Sequence, residues 1–490
     1  MTLICRKDAL RPAYAALLLL IFLLTLPLVN PWVRGDGVGY YAYIRAILVE
    51  HKLDFANDWR VANESFTMGR VRGNGEIDST QFTATGHLDN HFAVGASILW
   101  APFLVPVHLT MEALQKFGMN VRPDGFSRPY IIAMALGTAL YGFLGLWFSF
   151  RLACRYTEQN WALLATLGVW WASSLPVYMY FNPSWSHAHS AFVVGLFLWY
   201  WNETREGRAL RQWMILGLIS GLMLDVYYAN IAILMVPLLE SLRKYCRSLL
   251  RPEPDWQSLR RLISGNFAYC FAAVIAFMPS LVTRYIVYGH PLKFGYSAMG
   301  MWQWRTPHLG GVLFSSSHGL LVWTPIVILS VVGLFMLFRH ERDLAAHLIA
   351  ASICFYYLIA SAAFWDGLSS FGNRYFISLT PIFVLGLAVL LADFARFLNN
   401  SKRAMAIATV GTTAFIIWNL GFIFQWGTHL VPARGPISWR QMAYNQVAVV
   451  PSHALLDLRA YFGNRRGMMR NIEVEDIEQL KKQQEARREK

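Results

Sequence analysis

The feature that most constrains this chain is a succession of apolar runs, each near the length of a bilayer span, joined by short connections in which Arg and Lys concentrate. Such runs occupy 13–29, 129–150, 161–181, 187–202, 212–225, 227–242, 263–283, 320–338, 345–362, 375–392 and 404–424, and a span needs about 20 apolar residues. The 490 residues are 56% hydrophobic and 15% charged, where soluble domains have roughly 45–50% and about 25%. A formal net charge of +14 would raise nucleic acid as a partner, but the basic residues lie between apolar runs, so a membrane reading displaces it. The chain is too apolar for disorder, and five cysteines are too few for a disulfide scaffold.

The first run follows Arg6, Lys7 and Arg11 and is followed by Asn30-Pro31-Trp32 rather than by a small-x-small cleavage site. It is expected to stay as a first span with its basic end in the cytoplasm. One further run, Phe92–Leu109, contains Pro102 and Pro106, and the parity of the whole topology depends on it. If it does not cross, Arg151, Arg155, Arg205, Arg208, Arg211, the cluster from Arg243 to Arg261 that includes Arg251, and Arg339, Arg342, Arg396, Lys402 and Arg403 all fall on the cytoplasmic side. The opposite turns Asn182–Ser186 and Asp225–Tyr228 carry no Lys or Arg. Phe92–Leu109 is therefore expected to be an interfacial or half-inserted helix on the outer side. The fold class is all-α: a polytopic transmembrane bundle of about eleven spans with a long first outer loop, 31–128, carrying interfacial helices. Residues 1–425 form the membrane domain, and 426–490 form a tail that parity places outside, although it ends in the basic run from Lys481 to Lys490. Cys5, Cys154 and Cys246 fall in or beside cytoplasmic segments and Cys270 and Cys354 within spans, so no disulfide is expected.

Polar residues gather on the outer face. The first outer loop opens with Arg34-Gly35-Asp36-Gly37-Val38-Gly39-Tyr40-Tyr41. Three glycines around one carboxylate allow a sharp turn beside the membrane. Tyr40, Tyr43, Ile44, Ile47 and Leu48 then recur at helical spacing with Arg45, Glu50 and Lys52 on other faces, which predicts an amphipathic interfacial helix. For Asp36 alone a cap or turn role is the competing explanation. His187 and His189 follow the turn Asn182–Ser186 and point to different helix faces, which makes them a weak metal pair. The loop Phe364–Arg374 sets one cation at a membrane entry, where snorkelling is the alternative to function. The turn Gly86–His91, with Asp89 and His91, reads equally as a polar loop or a cation site. There is no phosphate-loop motif, no His-Glu-x-x-His and no Gly-x-Ser-x-Gly, which counts against nucleotide hydrolysis, zinc proteolysis and serine hydrolysis.

Taken in order, a first span with a Gly-Asp-Gly-x-Gly-Tyr-Tyr mouth, Pro183-Ser184-Trp185-Ser186-His187-Ala188, Tyr288-Gly289-His290-Pro291-Leu292, Leu313-Phe314-Ser315 with His318-Gly319-Leu320, Trp323-Thr324-Pro325 and Ser370-Phe371-Gly372-Asn373-Arg374-Tyr375-Phe376 resemble the GT-C superfamily of membrane glycosyltransferases. The likeness is to the bacterial relatives of protein O-mannosyltransferases and lipid A aminoarabinose transferases. It implies an inverting transfer of a hexosyl or pentosyl group from a polyprenyl phosphate to a hydroxyl of a glycolipid, glycan or protein, at the periplasmic face of a bacterial inner membrane. On that resemblance Asp36 is the general base and Arg374 the cation for the leaving phosphate. Tyr40, His187, His189, Asp89 and His91 are candidate substrate contacts, with Lys293 and Arg305 ranked lower. Where related enzymes often carry a second acidic residue, this chain has Asn182, His187 and His189, so a metal-free mechanism is favoured, with a divalent cation as the only cofactor left open. A flippase of lipid-linked glycans is the alternative function.

Overall fold

Apolar segments in lipid must satisfy their backbone groups internally, which a helix does and an open strand does not. The computed structural model describes residues 10–250, 255–294 and 301–488, so Cys5, Arg6, Lys7, Arg251 and Lys490 lie outside the described residues. The described chain is helical, and its only β pairings are the isolated bridges Val71–Ile77, Phe82–Leu88 and Trp302–Ala362. Six helices are long and apolar enough to cross a membrane by length and composition: Gly95–Lys116, Arg128–Ala153, Trp256–Tyr288, Arg342–Ala360, Arg374–Leu398 and Ser401–Gly427. Shorter segments pack among them, including Pro12–Leu28, Gln159–Trp171, His187–Thr204, Leu210–Val226, Met235–Leu249 and Ile326–Arg339.

The basic connections meet at one end of the bundle and are paired there with acids. Arg155 bonds Glu203, Arg208 and Lys244 share Glu240, Arg205 reaches Glu341, Arg243 pairs with Asp343, and Asp393 takes both His340 and Arg396. Asp36 and Arg374 sit at the other end. The most enclosed element is Arg374–Leu398, whose apolar window is 94% buried; a helix apolar all round belongs at the centre of a bundle.

Close approach between helices depends on small residues rather than on apolar matching, as is usual where lipid and side chain are equally apolar. Gly386 and Gly333 bring Thr380–Leu398 against Ile326–Met336, and Gly217 and Gly221 seat Leu210–Val226 directly on the carbonyls of Tyr269 and Ala273. That Gly-x-x-x-Gly spacing is a sequence signal for the contact.

Pro102 and Pro106 do not interrupt Gly95–Lys116, which is one continuous helix. It runs antiparallel to the first half of Arg128–Ala153 only: Trp100 Nε1 donates to Thr138 Oγ1 (2.8 Å), Phe103 meets Tyr141, and His108 bonds Tyr130 (2.8 Å). Beyond that level the partner of Arg128–Ala153 is His187–Thr204, through Gly145 and Ala191. The register thus keeps Gly95–Lys116 beside the Asp36 end of the bundle.

The expected amphipathic helix after Asp36 is different in kind. Asp36–Arg45 is a short helix whose residues from Gly37 to Arg45 are all buried, followed by a wider helical turn, Ala46–Glu50. Arg45 is not a solvated face residue, because Asp58 accepts from its Nε (2.7 Å) and pairs with its Nη2 (2.6 Å) inside the first loop. The loop brought Phe55, Trp59 and Phe66 over this helix and covered the face that would have met the interface.

Two substitutions test the packing. Gly221→Ile sets a branched side chain against the Ala273 carbonyl and should cost about 1–3 kcal/mol, as overpacking does. Gly411→Ile, at a glycine with open space around its Cβ, should leave thermal unfolding in detergent unchanged. Equal melting points for the two would contradict this packing.

Candidate functional site

Two loops converge on the site, one from each end of the sequence. Gly35 precedes the mouth helix Asp36–Arg45 with φ 52°, a left-handed value that a glycine tolerates. The other glycines of the motif serve close approach: a Cβ at Gly37 would overlap the Ser184 hydroxyl, and one at Gly39 would overlap the Phe92 ring. Trp185 Nε1 donates to the Arg34 carbonyl (3.0 Å), which pins the turn Asn182–Ser186 to the mouth. Behind the helix lies the buried Arg284, whose guanidinium donates to the carbonyls of Asn90 and Phe92 and to the Tyr43 hydroxyl (2.8 Å). Burying a cation is tolerated only when it is hydrogen-bonded, and here the bonds fix the loop that carries Phe92 to the helix that carries Asp36.

Arg374 arrives at the start of Arg374–Leu379, after a loop closed by its own polar groups. His318 contacts the Asp366 carbonyl through Nδ1 (2.7 Å), Asn373 Nδ2 donates to the Trp365 carbonyl (3.0 Å), and Ser370 Oγ donates to the Gly372 carbonyl (3.0 Å). Burial lowers the His318 pKa to about 4. The ring is therefore neutral near pH 7 and its Nδ1–H is the donor.

Arg374 Nη2 donates to Asp36 Oδ2 at 2.7 Å. The guanidinium lies over Trp185 at 4.1 Å and near the Tyr375 ring at 5.5 Å. Its side chain is 7% exposed, that of Asp36 36%. Nε and Nη1 of Arg374 are buried without a hydrogen-bond partner. Asp36 is the first residue of its helix, and its carboxylate takes part in the ion pair with Arg374.

Both residues line a cavity of about 730 Å³. Its walls are apolar side chains of Ser401–Gly427, among them Ile417, Leu420, Ile423 and Phe424, together with Phe92 and Trp171. Arg34, Arg70, His429, Arg434, Asp457 and Asp476 add charge to its rim. These six were not singled out from the sequence. Four lie in or just before a tail that composition marks only as terminal and basic. A usable signal was present in that tail, because Val450, Ala454, Asp457 and Tyr461 recur at helical spacing along one cavity-facing edge.

The other sequence candidates divide by position. His187 stands next to the pair, ringed by Tyr178 (5.0 Å), Tyr227 (5.8 Å) and Tyr375 (6.2 Å), with its Nδ1 unbonded. Tyr40 packs on Phe92 at the same mouth. His189 turns to Trp100 and Tyr141, on another side of the helix from His187. Asp89 accepts from the Tyr288 hydroxyl, and Lys293 lies 6.0 Å from the Tyr288 ring. His91 stacks on Phe92, while Arg305 is exposed. Of the sequence candidates only Asp36 and Arg374 are among the cavity-lining residues; Tyr40, His187, His189, Asp89, His91, Lys293 and Arg305 are not. Among the described residues no group of three or more His, Cys, Asp or Glu is placed to hold a metal ion.

The tail helix Arg465–Arg488 closes the rim. Asp476 pairs with Arg34 and accepts from His429 Nε2 (3.1 Å), Glu475 accepts from His429 Nδ1 (2.5 Å), and Glu473 accepts from Asn63 (2.9 Å) and from the Ser65 backbone (2.6 Å). Burial pulls the His429 pKa down, but Asp476 and Glu475 outweigh it and leave the pKa raised. Burial pushes Asp476 up, and His429 with Arg34 leaves it lowered.

No family model matches the sequence, and no curated protein does. Among solved structures the chain is similar to ArnT from Cupriavidus metallidurans in the apo state, at 16% identity and TM-score 0.44 over 85% of this chain and 71% of that one. It is also similar to the archaeal oligosaccharyltransferase AglB from Archaeoglobus fulgidus in complex with an inhibitory peptide and a dolichol-phosphate, at 12% identity and TM-score 0.41 over 89% of this chain and 54% of that one. This chain thus spans about half the length of the archaeal one.

Docking of the tail helix should depend on pH. A raised His429 pKa stabilises the docked state fully below its free value of about 6.5 and loses that contribution as pH rises through the docked value; the lowered Asp476 contributes above about 3.9 and loses it as pH falls through its docked value. Hydrogen exchange in Arg465–Arg488 should therefore increase from about pH 6 to about pH 9 more than intrinsic exchange accounts for, and His429→Gln should remove that increase. A pH-independent protection factor in the unaltered protein would refute the linkage.

Proposed function

We propose that the chain is an inverting glycosyltransferase that moves a hexosyl or pentosyl group from a polyprenyl phosphate to an acceptor hydroxyl at the outer face of a bacterial inner membrane. The observation that carries this reading is the Asp36–Arg374 pair at the wall of an apolar cavity, with Nε and Nη1 of a buried guanidinium left open. A lipid-linked phosphate needs those two parts together: apolar walls for the isoprenoid chain and forked donors for the phosphate. The order of motifs in the sequence points the same way.

In this reaction the donor phosphate accepts from the Arg374 guanidinium, whose Nη2 also holds Asp36. The acceptor oxygen attacks the anomeric carbon and passes its proton to the Asp36 carboxylate. As the new carbon–oxygen bond forms, the bond to phosphate breaks, and the polyprenyl phosphate leaves with the electron pair. Arg374 stabilises the charge that gathers on the leaving oxygen. One guanidinium thus orients the base and receives the leaving group, which sets their separation. Tyr375, Tyr178 and His187 cluster beside this point, and aromatic and hydroxyl groups of that kind suit a sugar ring.

Asp36→Asn should lower transfer by about 10²–10⁴-fold, the usual range for a lost general base, with polyprenyl-phosphate binding retained. Arg374→Ala should lower both, and Arg374→Lys should recover binding only partly, because an ammonium lacks the fork. Purified protein in lipid vesicles, assayed with a polyprenyl-phosphate sugar and separately for polyprenyl-phosphate binding, separates the two effects. Full transfer in Asp36→Asn would remove Asp36 as the base. Sugar-lipid translocation without transfer, unaffected by Asp36→Asn, would establish a flippase instead.

A further inference from the structure

The segment after Gly427 does not project away from the bundle. Trp439–Tyr444, Asn445–Val449 and Val450–Gly463 follow one another as a continuous helical segment. Its beginning is packed on the helix Ser401–Gly427 well below that helix's end. Gln425 Nε2 donates to the Met442 carbonyl (3.2 Å), Gln446 fills the space beside Gly421, and Gln446 Nε2 donates to the Trp418 carbonyl (2.9 Å). At 1.5 Å per residue, Trp418 lies about 13 Å along the helix from Gly427, well inside the apolar length of a candidate span. The far end of the segment reaches the first helix: the Tyr461 hydroxyl donates to the Leu28 carbonyl (2.6 Å), the Tyr461 ring meets Phe181, and Arg465 donates to the carbonyls of Pro27 and Val29. The segment therefore bridges the gap between Pro12–Leu28 and Ser401–Gly427.

Its two edges differ. Val450, Ala454, Asp457 and Tyr461 face the cavity that Asp36 and Arg374 line. Tyr444, Val447, Leu455, Leu456 and Phe462 are exposed, Val447 at 78% and Leu455 at 63%; Ser452, His453 and Arg459 are exposed among them, and an Arg side chain is long enough to carry its charge to the headgroup level. The helix Ser401–Gly427 on which it packs also presents exposed apolar side chains away from the cavity, Ile407, Val410 and Trp418. A mostly apolar exposed edge on a segment packed beside a candidate span fits acyl chains rather than water.

We propose that Trp439–Gly463 is a membrane-embedded helix lying across the outer leaflet, with its Val447–Leu455–Phe462 edge in acyl chains and its Val450–Ala454–Tyr461 edge forming the lateral entrance by which an isoprenoid phosphate reaches Arg374. The entrance role rests on the function proposed above; immersion in lipid does not. A donor dissolved in the bilayer then enters sideways, without lifting its chain into water, and the helix Arg465–Arg488 closes the aqueous rim above it.

Two measurements test this on the full-length protein in phospholipid vesicles. In a protein whose native cysteines are replaced by Ala, a bimane label on Leu455→Cys should lose fluorescence when the phospholipids carry brominated acyl chains, and one on the exposed Glu478→Cys should not. An unquenched label at 455 that also reacts with a membrane-impermeant maleimide overturns immersion. Separately, benzoylphenylalanine placed at Ala454 should form a photo-adduct with added undecaprenyl phosphate, and one at Leu456 should form adducts with bulk phospholipid. Quenching at 455 with only phospholipid adducts at 454 overturns the entrance while leaving the helix in the membrane. Undecaprenyl phosphate adducts at 454 in a protein that transfers no sugar would sustain the entrance and overturn the glycosyltransferase reading, so the two failures are distinguishable.

Discussion

A guanidinium withdrawn from water with part of its donor set unused is costly, and much of this fold can be understood as what makes that cost tolerable at Arg374. Asp36 supplies one charged partner, Trp185 lies under the planar face, and Tyr375 closes one side. A cation–π contact of this kind is worth about 0.5–2 kcal/mol depending on desolvation, too little to hold a buried cation alone. The rest comes from geometry. The residues around Arg374 are fixed by bonds that would have to break before the side chain could turn to water: His318 to Asp366, Asn373 to Trp365, and Trp185 to Arg34.

The opposite half of the pair is held just as firmly but by different means. The mouth helix is covered by the first loop, and the loop is organised by two buried arginines. Arg45 closes a bidentate pair with Asp58, and Arg284 gathers Asn90, Phe92 and Tyr43. Neither contributes to the cavity wall. Their effect reaches Asp36 through backbone position, which is why residues far apart in sequence bear on a single carboxylate.

How far the residues alone disclosed this arrangement depends on which forces decided each part. The all-helical bundle was legible because span length and the absence of polar alternation leave few other solutions. The gathering of basic connections at one end was legible because charge in short loops is a local property. Asp36 and Arg374 stood out because a carboxylate between glycines and a cation at a membrane entry are locally unusual. The mouth helix was misread as interfacial, since its periodicity shows an amphipathic face but not that Phe55, Trp59 and Phe66 fold over it. Arg70, His429 and Asp476 were not legible as cavity residues, because the folding of the first loop places Arg70 there and only the return of the tail brings His429 and Asp476 to the rim. Lys293 and Arg305, chosen for charge in a loop without fixed geometry, do not line the cavity.

The overlap that any side chain at Gly37 would make with Ser184, and at Gly39 with Phe92, leaves the mouth helix no room to slide or roll. A carboxylate mounted on such a helix has a fixed place relative to the turn Asn182–Ser186. A change in the shape of the cavity therefore has little scope at Asp36 itself. It has more in Val450–Gly463, which forms its own stretch of wall, whereas the helix after it holds the mouth through Asp476 on Arg34 and Glu473 on Asn63. The division is between a half fixed by close packing and polar bonds and a half that shapes the cavity from its periphery.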